Sequence, residues 1–169
     1  MLLLSLNLRG TRGTLKVALV RNVLDKTHPN IVFLQETHVH SKKARSFFHT
    51  LRPTWLSCAV NSVGTSGILL VSWDPNYIDL VPCLTFGGIL LIELCLESRR
   101  QINLLNVYES CMERKHLWEK LESLGLLNLK SLILAGDLNL TYHPEKYGVV
   151  HPYWDRWPIS LILIFIKIS

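Results

Sequence analysis

The sequence lacks the short motifs that identify several common enzyme classes. It has no P-loop, no nucleophile elbow and no glycine motif for dinucleotides. Its four cysteines form no C-x-x-C pair, and no histidine or cysteine spacing matches a zinc site. These absences disfavour a zinc hydrolase. We interpret the cysteines as reduced, mostly buried thiols of a nuclear or cytoplasmic protein.

Long hydrophobic runs are also missing. A bilayer-spanning helix needs about 20 apolar residues, and the closing run from Ile159 to Ile166 is far shorter. The apolar start at Met1 has no positively charged segment before it and is interrupted by Asn7 and Arg9. We therefore interpret it as a core strand rather than a signal peptide, and expect a protein that is neither secreted nor bound to a membrane.

The sequence has few charged residues, and the basic ones (18) outnumber the acidic ones (13). Charged residues make up 18% of the 169 residues and hydrophobic residues 49%, which indicates one folded domain. The formal net charge of +5 favours a polyanionic partner such as nucleic acid. The basic residues lie in small scattered groups, so an ordinary solvated surface remains the alternative interpretation.

Short apolar runs alternate with segments of helical periodicity. Strands are predicted to about residue 8 and over 31–35, 55–60, 68–73, 101–107 and 132–135, and helices over 14–26, 41–51 and 112–124. After Gly88, apolar and charged residues alternate, which predicts a half-exposed antiparallel strand. The pattern as a whole predicts a mixed α/β fold with antiparallel pairs in the middle of the chain.

Four of the apolar runs end in polar residues that carry oxygen. These residues are Asn7, Glu36, Tyr108 and Asp137, with Asn139 two residues further on. In open α/β sheets, ligands collect beyond the strand ends. Carboxylates, amides and a phenol that meet there would form a hard, oxygen-rich site suited to Mg²⁺ and a phosphate.

Each of these residues also has an ordinary structural role open to it. Glu36 could ligate a metal, form an ion pair with an arginine or cap a helix. Asp137 and Asn139 could hold a water and a phosphate oxygen, or form an Asx-turn after Gly136. Asn7 could be a satisfied polar group at a strand end. Tyr108 could be a core residue with its hydroxyl at the rim.

Taken in order, the motifs resemble the endonuclease/exonuclease/phosphatase superfamily. The matching stretches are Leu6-Asn7-Leu8-Arg9-Gly10, Leu34-Gln35-Glu36-Thr37, Asn106-Val107-Tyr108 and Gly136-Asp137-Leu138-Asn139. More narrowly, the chain resembles the endonuclease domain of LINE-type non-LTR retrotransposons, which precedes a reverse transcriptase domain. The resemblance covers roughly residues 2–148. We predict a domain over 1–148 and an atypical apolar tail over 149–169, as a shifted reading frame would produce.

The resemblance implies a four-layer α/β/β/α sandwich with mixed, mostly antiparallel sheets. It also implies a DNA endonuclease that depends on Mg²⁺ or Mn²⁺ to hydrolyse a phosphodiester. Glu36 would be the main metal ligand, with Asn7 beside it, and Tyr108 would contact the scissile phosphate. Asp137 would orient the attacking water, and Asn139 would stabilise the charged transition state.

The chain departs from the family pattern at its C-terminal side. Relatives carry a catalytic histidine in a Ser-Asp-His-type motif and a further aspartate upstream of it, and neither occurs here. Tyr108 is followed by Glu109, where the family usually has a small residue. We therefore expect an impaired or inactive truncated endonuclease. The alternatives are a phosphatase-type member of the superfamily and a non-catalytic remnant that binds nucleic acid.

Overall fold

The computed structural model describes residues 1–11, 13–61, 68–86, 88–95, 101–108, 114–137 and 160–165. In chain order these residues form β1 (Leu2–Asn7), α1 (Thr14–Thr27), β2 (Ile31–Gln35), α2 (Ser41–Leu51), β3 (Leu56–Asn61), β4 (Ile68–Trp73), β5 (Asp79–Phe86), β6 (Ile89–Cys95), β7 (Gln101–Tyr108), α3 (Arg114–Ser123), a 3₁₀ helix (Leu126–Asn128), β8 (Leu132–Asp137) and β9 (Ser160–Phe165). Within these ranges, no helix combines the length and the apolar character needed to cross a bilayer.

The described strands form two sheets. Sheet A has the order β3-β4-β2-β1-β9, and sheet B has the order β5-β6-β7-β8. The β1–β2 pair and the β7–β8 pair are parallel, whereas the other described pairs are antiparallel. The predicted mixed, mostly antiparallel arrangement is confirmed.

Alternating side chains along each strand divide the core into three clusters. One lies between the sheets and contains Phe33, Val71 and Leu104, among others. Another packs sheet A against α1 and α2, and a third packs sheet B against α3. Burial of each large apolar side chain contributes about 1.5–3 kcal/mol. The layers therefore follow the order helix, sheet, sheet, helix, which confirms the predicted partial four-layer sandwich.

Two features of sheet B differ from the sequence-based prediction. Strand β5 was not predicted, and β6 was expected to be half-exposed. Instead, Ile92 and Leu94 pack between the sheets while Ile89 and Leu91 pack toward α3. Only Glu93 interrupts this second face among the side chains described in β6. The half-exposed prediction is wrong for Ile89 and Leu91, because α3 covers them. The alternation predicted from Ile92 onward agrees with the structure as far as it is described, since Glu93 is half-buried between buried Ile92 and Leu94.

The segment after residue 148 contributes a strand to sheet A. Strand β9 runs antiparallel to β1, with Phe165 opposite Leu2 and Ser160 opposite Asn7. The chain therefore extends sheet A beyond β1 with part of its apolar tail. The proposed domain division at residue 148 stays a prediction.

The two cysteines whose side chains are described differ in exposure. Cys58 in β3 is half-buried, and Cys83 in β5 is exposed, so Cys83 departs from the expected burial. Burial raises the pKa of the Cys58 thiol, and the nearby Arg45 opposes this shift. Because the thiolate is the reactive form, we expect iodoacetamide at about pH 8 to alkylate Cys83 several-fold faster than Cys58. Peptide mapping by mass spectrometry measures both rates, and equal rates would contradict this prediction.

Candidate metal and phosphate site

The polar residues selected from the sequence lie at the ends of parallel strand pairs. In sheet A, Asn7 ends β1 opposite Gln35, and Glu36 follows directly. In sheet B, Tyr108 ends β7 opposite Asp137, the last residue of β8. Within each pair the carboxyl ends lie at the same edge, as parallel pairing requires. Each sheet thus presents two of the candidate positions at one edge.

A buried hydrogen bond shows that both edges lie on the same side of the sandwich. The Gln35 side-chain nitrogen Nε2 donates to Asn106 Oδ1 across the gap between the sheets, at 2.8 Å. Gln35 immediately precedes Glu36, and Asn106 lies two residues before Tyr108. The ends of β1, β2, β7 and β8 therefore meet along one side of the molecule. We call this side the rim, defined by Asn7, Glu36, Tyr108 and Asp137.

Two rim residues lie on the inner faces of the sheets. Asn7 is buried, and its Oδ1 accepts a hydrogen bond from the Arg9 backbone N–H at 3.0 Å. Tyr108 is partly buried and packs against the cluster between the sheets. Both residues thus show the ordinary structural roles considered above. Each residue still lies at the end of its strand, and therefore at the rim.

Glu36 has an unusual backbone conformation. Its φ is +49°, and Arg9 and His38 nearby also have positive φ, at +47° and +53°. Such conformations cost about 1–3 kcal/mol in non-glycine residues and cluster at functional sites. The Glu36 side chain is 17% exposed, and its Oε2 lies 3.8 Å from His38 Nε2. Glu36 is therefore a largely covered carboxylate held at the strand end by a strained backbone.

Lys16 lies beside the rim, and the sequence analysis did not select it. Its Nζ donates hydrogen bonds to the carbonyl oxygens of Leu8 and Arg9, just beyond β1. Burial lowers the pKa of Lys16, Arg9 lowers it further, and the Glu36 carboxylate acts in the opposite direction. The first turn of α1 therefore brings an ammonium group close to Glu36. Lys16 could have been selected from the sequence by its position, because it lies three residues after Gly13, in the first turn of the helix that follows β1.

The oxygen donors at the rim fit Mg²⁺ better than a softer metal. In the described residues, no group of three histidine, cysteine, aspartate or glutamate side chains could hold a metal ion. The Asp137 side chain lies outside the described part of the chain, so the described oxygen donors near Glu36 are neutral ones. Thr37, the next residue, is fully buried, and its Oγ1 has no hydrogen-bond partner among the described residues. Carboxylate, amide and hydroxyl oxygens, with several retained waters, are the usual surroundings of Mg²⁺.

The structure thus brings four of the five predicted site residues to one rim. For Asp137 it describes the backbone, which pairs in register with Tyr108. Asn139 lies outside the described residues. A site formed by these positions would draw its groups from both sheets. Such an arrangement can place a metal on the sheet A side of a phosphate and polar groups on the sheet B side.

Comparison with known proteins identifies the family and the fold. A family model described as the Endonuclease/Exonuclease/phosphatase family matches residues 4–162. A search of curated proteins finds no significant sequence match.

Solved structures with this fold have low sequence identity to the chain. Humanized D. rerio TDP2 matches with a TM-score of 0.62 and 14% identity, over 84% of this chain and 63% of that one. The endonuclease domain of TRAS1, a telomere-specific non-LTR retrotransposon, matches with a TM-score of 0.62 and 17% identity, over 83% and 61%. The AP endonuclease LMAP from Leishmania major matches with a TM-score of 0.57 and 18% identity, over 82% and 55%. The chain therefore spans less than two thirds of the length of these structures.

Proposed function

This chain belongs to the endonuclease/exonuclease/phosphatase family. We propose that its rim is a Mg²⁺-dependent site that hydrolyses DNA phosphodiesters, and that the protein is of retrotransposon origin. The observation that carries the proposal is the cross-sheet hydrogen bond from Gln35 to Asn106. It draws strand ends from both sheets to one rim, as a site with a metal on one side and a nucleophile on the other requires. A similar structure of a retrotransposon endonuclease domain supports the choice of DNA.

Under this proposal, sheet A supplies the metal ligands. Glu36 and Asn7 would hold Mg²⁺, and the Thr37 hydroxyl would hydrogen-bond to a water near the ion. When bound, the ion would neutralise charge on the phosphate and on the departing oxygen. Lys16, on which both Arg9 and the Glu36 carboxylate act electrostatically, adds positive charge near Glu36, and this charge favours a polyanionic substrate over a neutral one.

Sheet B would supply the groups that act on the phosphate and the water. The Tyr108 hydroxyl would donate a hydrogen bond to a phosphate oxygen. The Asp137 carboxylate would accept a hydrogen bond from the attacking water and so orient it. Asn139, two residues further along, would donate to the oxygens that gain charge in the transition state. The register between Tyr108 and Asp137 supports these roles because it keeps the two residues next to each other.

A second candidate function is nucleic-acid binding without hydrolysis. Helix α2 exposes Lys42, Lys43 and Arg45, and the whole chain carries a net charge of +5. Such a surface attracts phosphate backbones whether or not a metal site is present. Binding of this kind would persist in EDTA and weaken steeply with salt.

A nicking assay separates these functions. In line with the impaired activity expected from the sequence, we expect the protein to relax supercoiled plasmid only slowly in the presence of Mg²⁺ or Mn²⁺ and to leave it unchanged in EDTA. The same preparation should not hydrolyse a phosphomonoester such as p-nitrophenyl phosphate. Plasmid binding without any nicking would support the binding function instead. Faster release of phosphate from the monoester than nicking of DNA would support the phosphatase-type alternative.

A further inference from the structure

A small polar layer crosses the otherwise apolar space between the two sheets. Ser5 on β1, Gln35 on β2 and Asn106 on β7 are each at most 2% exposed. Gln35 Nε2 donates to Ser5 Oγ at 3.0 Å and to Asn106 Oδ1 at 2.8 Å. Asn106 Nδ2 in turn donates to the Leu70 carbonyl oxygen in β4, at 3.3 Å. The layer therefore joins three strands of sheet A to the strand of sheet B that ends at Tyr108.

The position of this layer coincides with the start of the rim. Gln35 directly precedes Glu36, and Ser5 lies two residues before Asn7. Asn106 lies opposite Ala135, so it is two residues from the level of Tyr108 and Asp137. Strands β1, β2 and β7 each contribute one side chain to the layer. Strand β8 is joined to it through its pairing with β7.

Hydrogen bonds can hold a geometry that apolar packing leaves free. The hydrophobic contacts between the sheets favour burial without a preferred direction, so they define the relative position of the two sheets less sharply than a directional bond does. A hydrogen bond of 2.8 Å, in contrast, weakens quickly when its distance or angle changes. The layer therefore opposes sliding at the level where residues from the two sheets must meet.

We propose that Gln35 and Asn106 are positioning residues that align the sheet A half of the rim, with Glu36 and Asn7, against the sheet B half, with Tyr108 and Asp137. This inference rests on the proposed function, because alignment matters only for a reaction that uses both halves. Glu36 and Asn7 both belong to sheet A and are held together by the β1–β2 pairing. Loss of the layer should therefore reduce the rate of hydrolysis while metal affinity is retained.

The test uses a variant in which the whole layer is apolar, with Ser5→Ala, Gln35→Met and Asn106→Leu combined. When the side-chain partners of a buried hydrogen-bond network all become apolar and keep similar shape, most of the stability can be retained; here only the Leu70 carbonyl oxygen loses a side-chain donor. We expect a melting temperature close to that of wild type and a Mn²⁺ dissociation constant within about twofold of it, measured by titration calorimetry. The plasmid nicking rate should fall about 10–100-fold, since misplacement by about 1 Å can cost this much.

A matched control lies on the same strand. Asn103 of β7 donates to the Lys130 carbonyl oxygen at the far end of sheet B, so Asn103→Leu should leave the nicking rate unchanged. If the triple variant fails to fold, the single Gln35→Met variant should show the same loss of rate with retained Mn²⁺ affinity. A folded variant that nicks at the wild-type rate would overturn the inference alone. A wild-type protein that does not nick DNA would overturn the proposed function, and the inference with it.

Discussion

In the Glu36→Gln variant, DNA nicking is expected to fall by about 10²–10³-fold, while the melting temperature stays close to that of wild type. A bound metal contributes several kcal/mol to charge stabilisation at a phosphoryl group, and about 1.4 kcal/mol corresponds to a factor of ten in rate. Glutamine has nearly the same shape, so it keeps the packing at the strand end. It lacks the charge that attracts the ion.

The surroundings of Glu36 increase this effect. The Glu36 carboxylate acts electrostatically on the Lys16 ammonium group, and so does Arg9. When Glu36 is neutralised, its negative charge no longer offsets the positive charge of these two residues. The rim then repels a divalent cation, and we expect Mn²⁺ affinity to fall together with the nicking rate. The simultaneous loss distinguishes a metal ligand from a positioning residue, whose loss leaves affinity unchanged.

Glu122→Gln provides the control for this measurement. Glu122 is an exposed glutamate on α3, which packs on the outer face of sheet B. This substitution removes the same charge from the protein, so any effect of net charge on DNA binding appears in both variants. If Mn²⁺ binds Glu36→Gln and wild type equally well, Glu36 is not the metal ligand.

The strands that could be predicted from the sequence are those that are buried on both faces. The strands that end at Asn7 and Gln35 are buried on both faces and read as continuous apolar runs. Strand β5 was missed because it is an edge strand with exposed Val81, Pro82 and Cys83, and therefore lacks a hydrophobic pattern. Its backbone pairs with β6 through a register shift after Pro82, which no local pattern indicates.

The site was predictable as a set of residues but not as an arrangement. Each strand end carries its own local signal, so Asn7, Glu36, Tyr108 and Asp137 could be selected one at a time. Which edges of the two sheets lie together depends on contacts between distant segments, such as the hydrogen bond from Gln35 to Asn106, 71 residues apart. Lys16 was missed for a related reason: a lysine on an amphipathic helix ordinarily points to solvent, and only the return of α1 over the end of β1 brings it to the rim.

Gly136→Ala is expected to cause the largest loss of stability among the substitutions considered, about 3–5 kcal/mol. A Cβ at this position would lie 1.9 Å from the Val107 carbonyl oxygen and 2.8 Å from the Val107 nitrogen. Both are backbone atoms of the paired strand β7, so they cannot turn aside as a flexible side chain could. Overpacking of this kind costs about 1–3 kcal/mol, and the φ of +139° adds a strain of about 1–3 kcal/mol for any residue with a Cβ.

Gly125→Ala separates the steric part of this effect from the conformational part. Gly125 also has positive φ, at +67°, but a Cβ there would meet no atom within 4 Å. We expect it to lose only about 1 kcal/mol, the cost of the left-handed conformation. Thermal melting measures both losses, since 1 kcal/mol shifts the midpoint by about 2–4 °C in a protein of this size. Equal shifts would show that β7 and β8 are further apart at Val107 than the structure has them.

The Gly136→Ala variant also tests the geometry of the site. Gly136 directly precedes Asp137, and its close approach to Val107 sets the spacing of β7 and β8 one residue before both strands end. An alanine that is tolerated must push the strands apart at that point, which would move Asp137 away from Tyr108. A Gly136→Ala protein that still folds at low temperature should therefore nick DNA more slowly than its remaining folded fraction accounts for. If its rate per folded molecule equals that of wild type, the spacing of these two strand ends does not matter for the reaction.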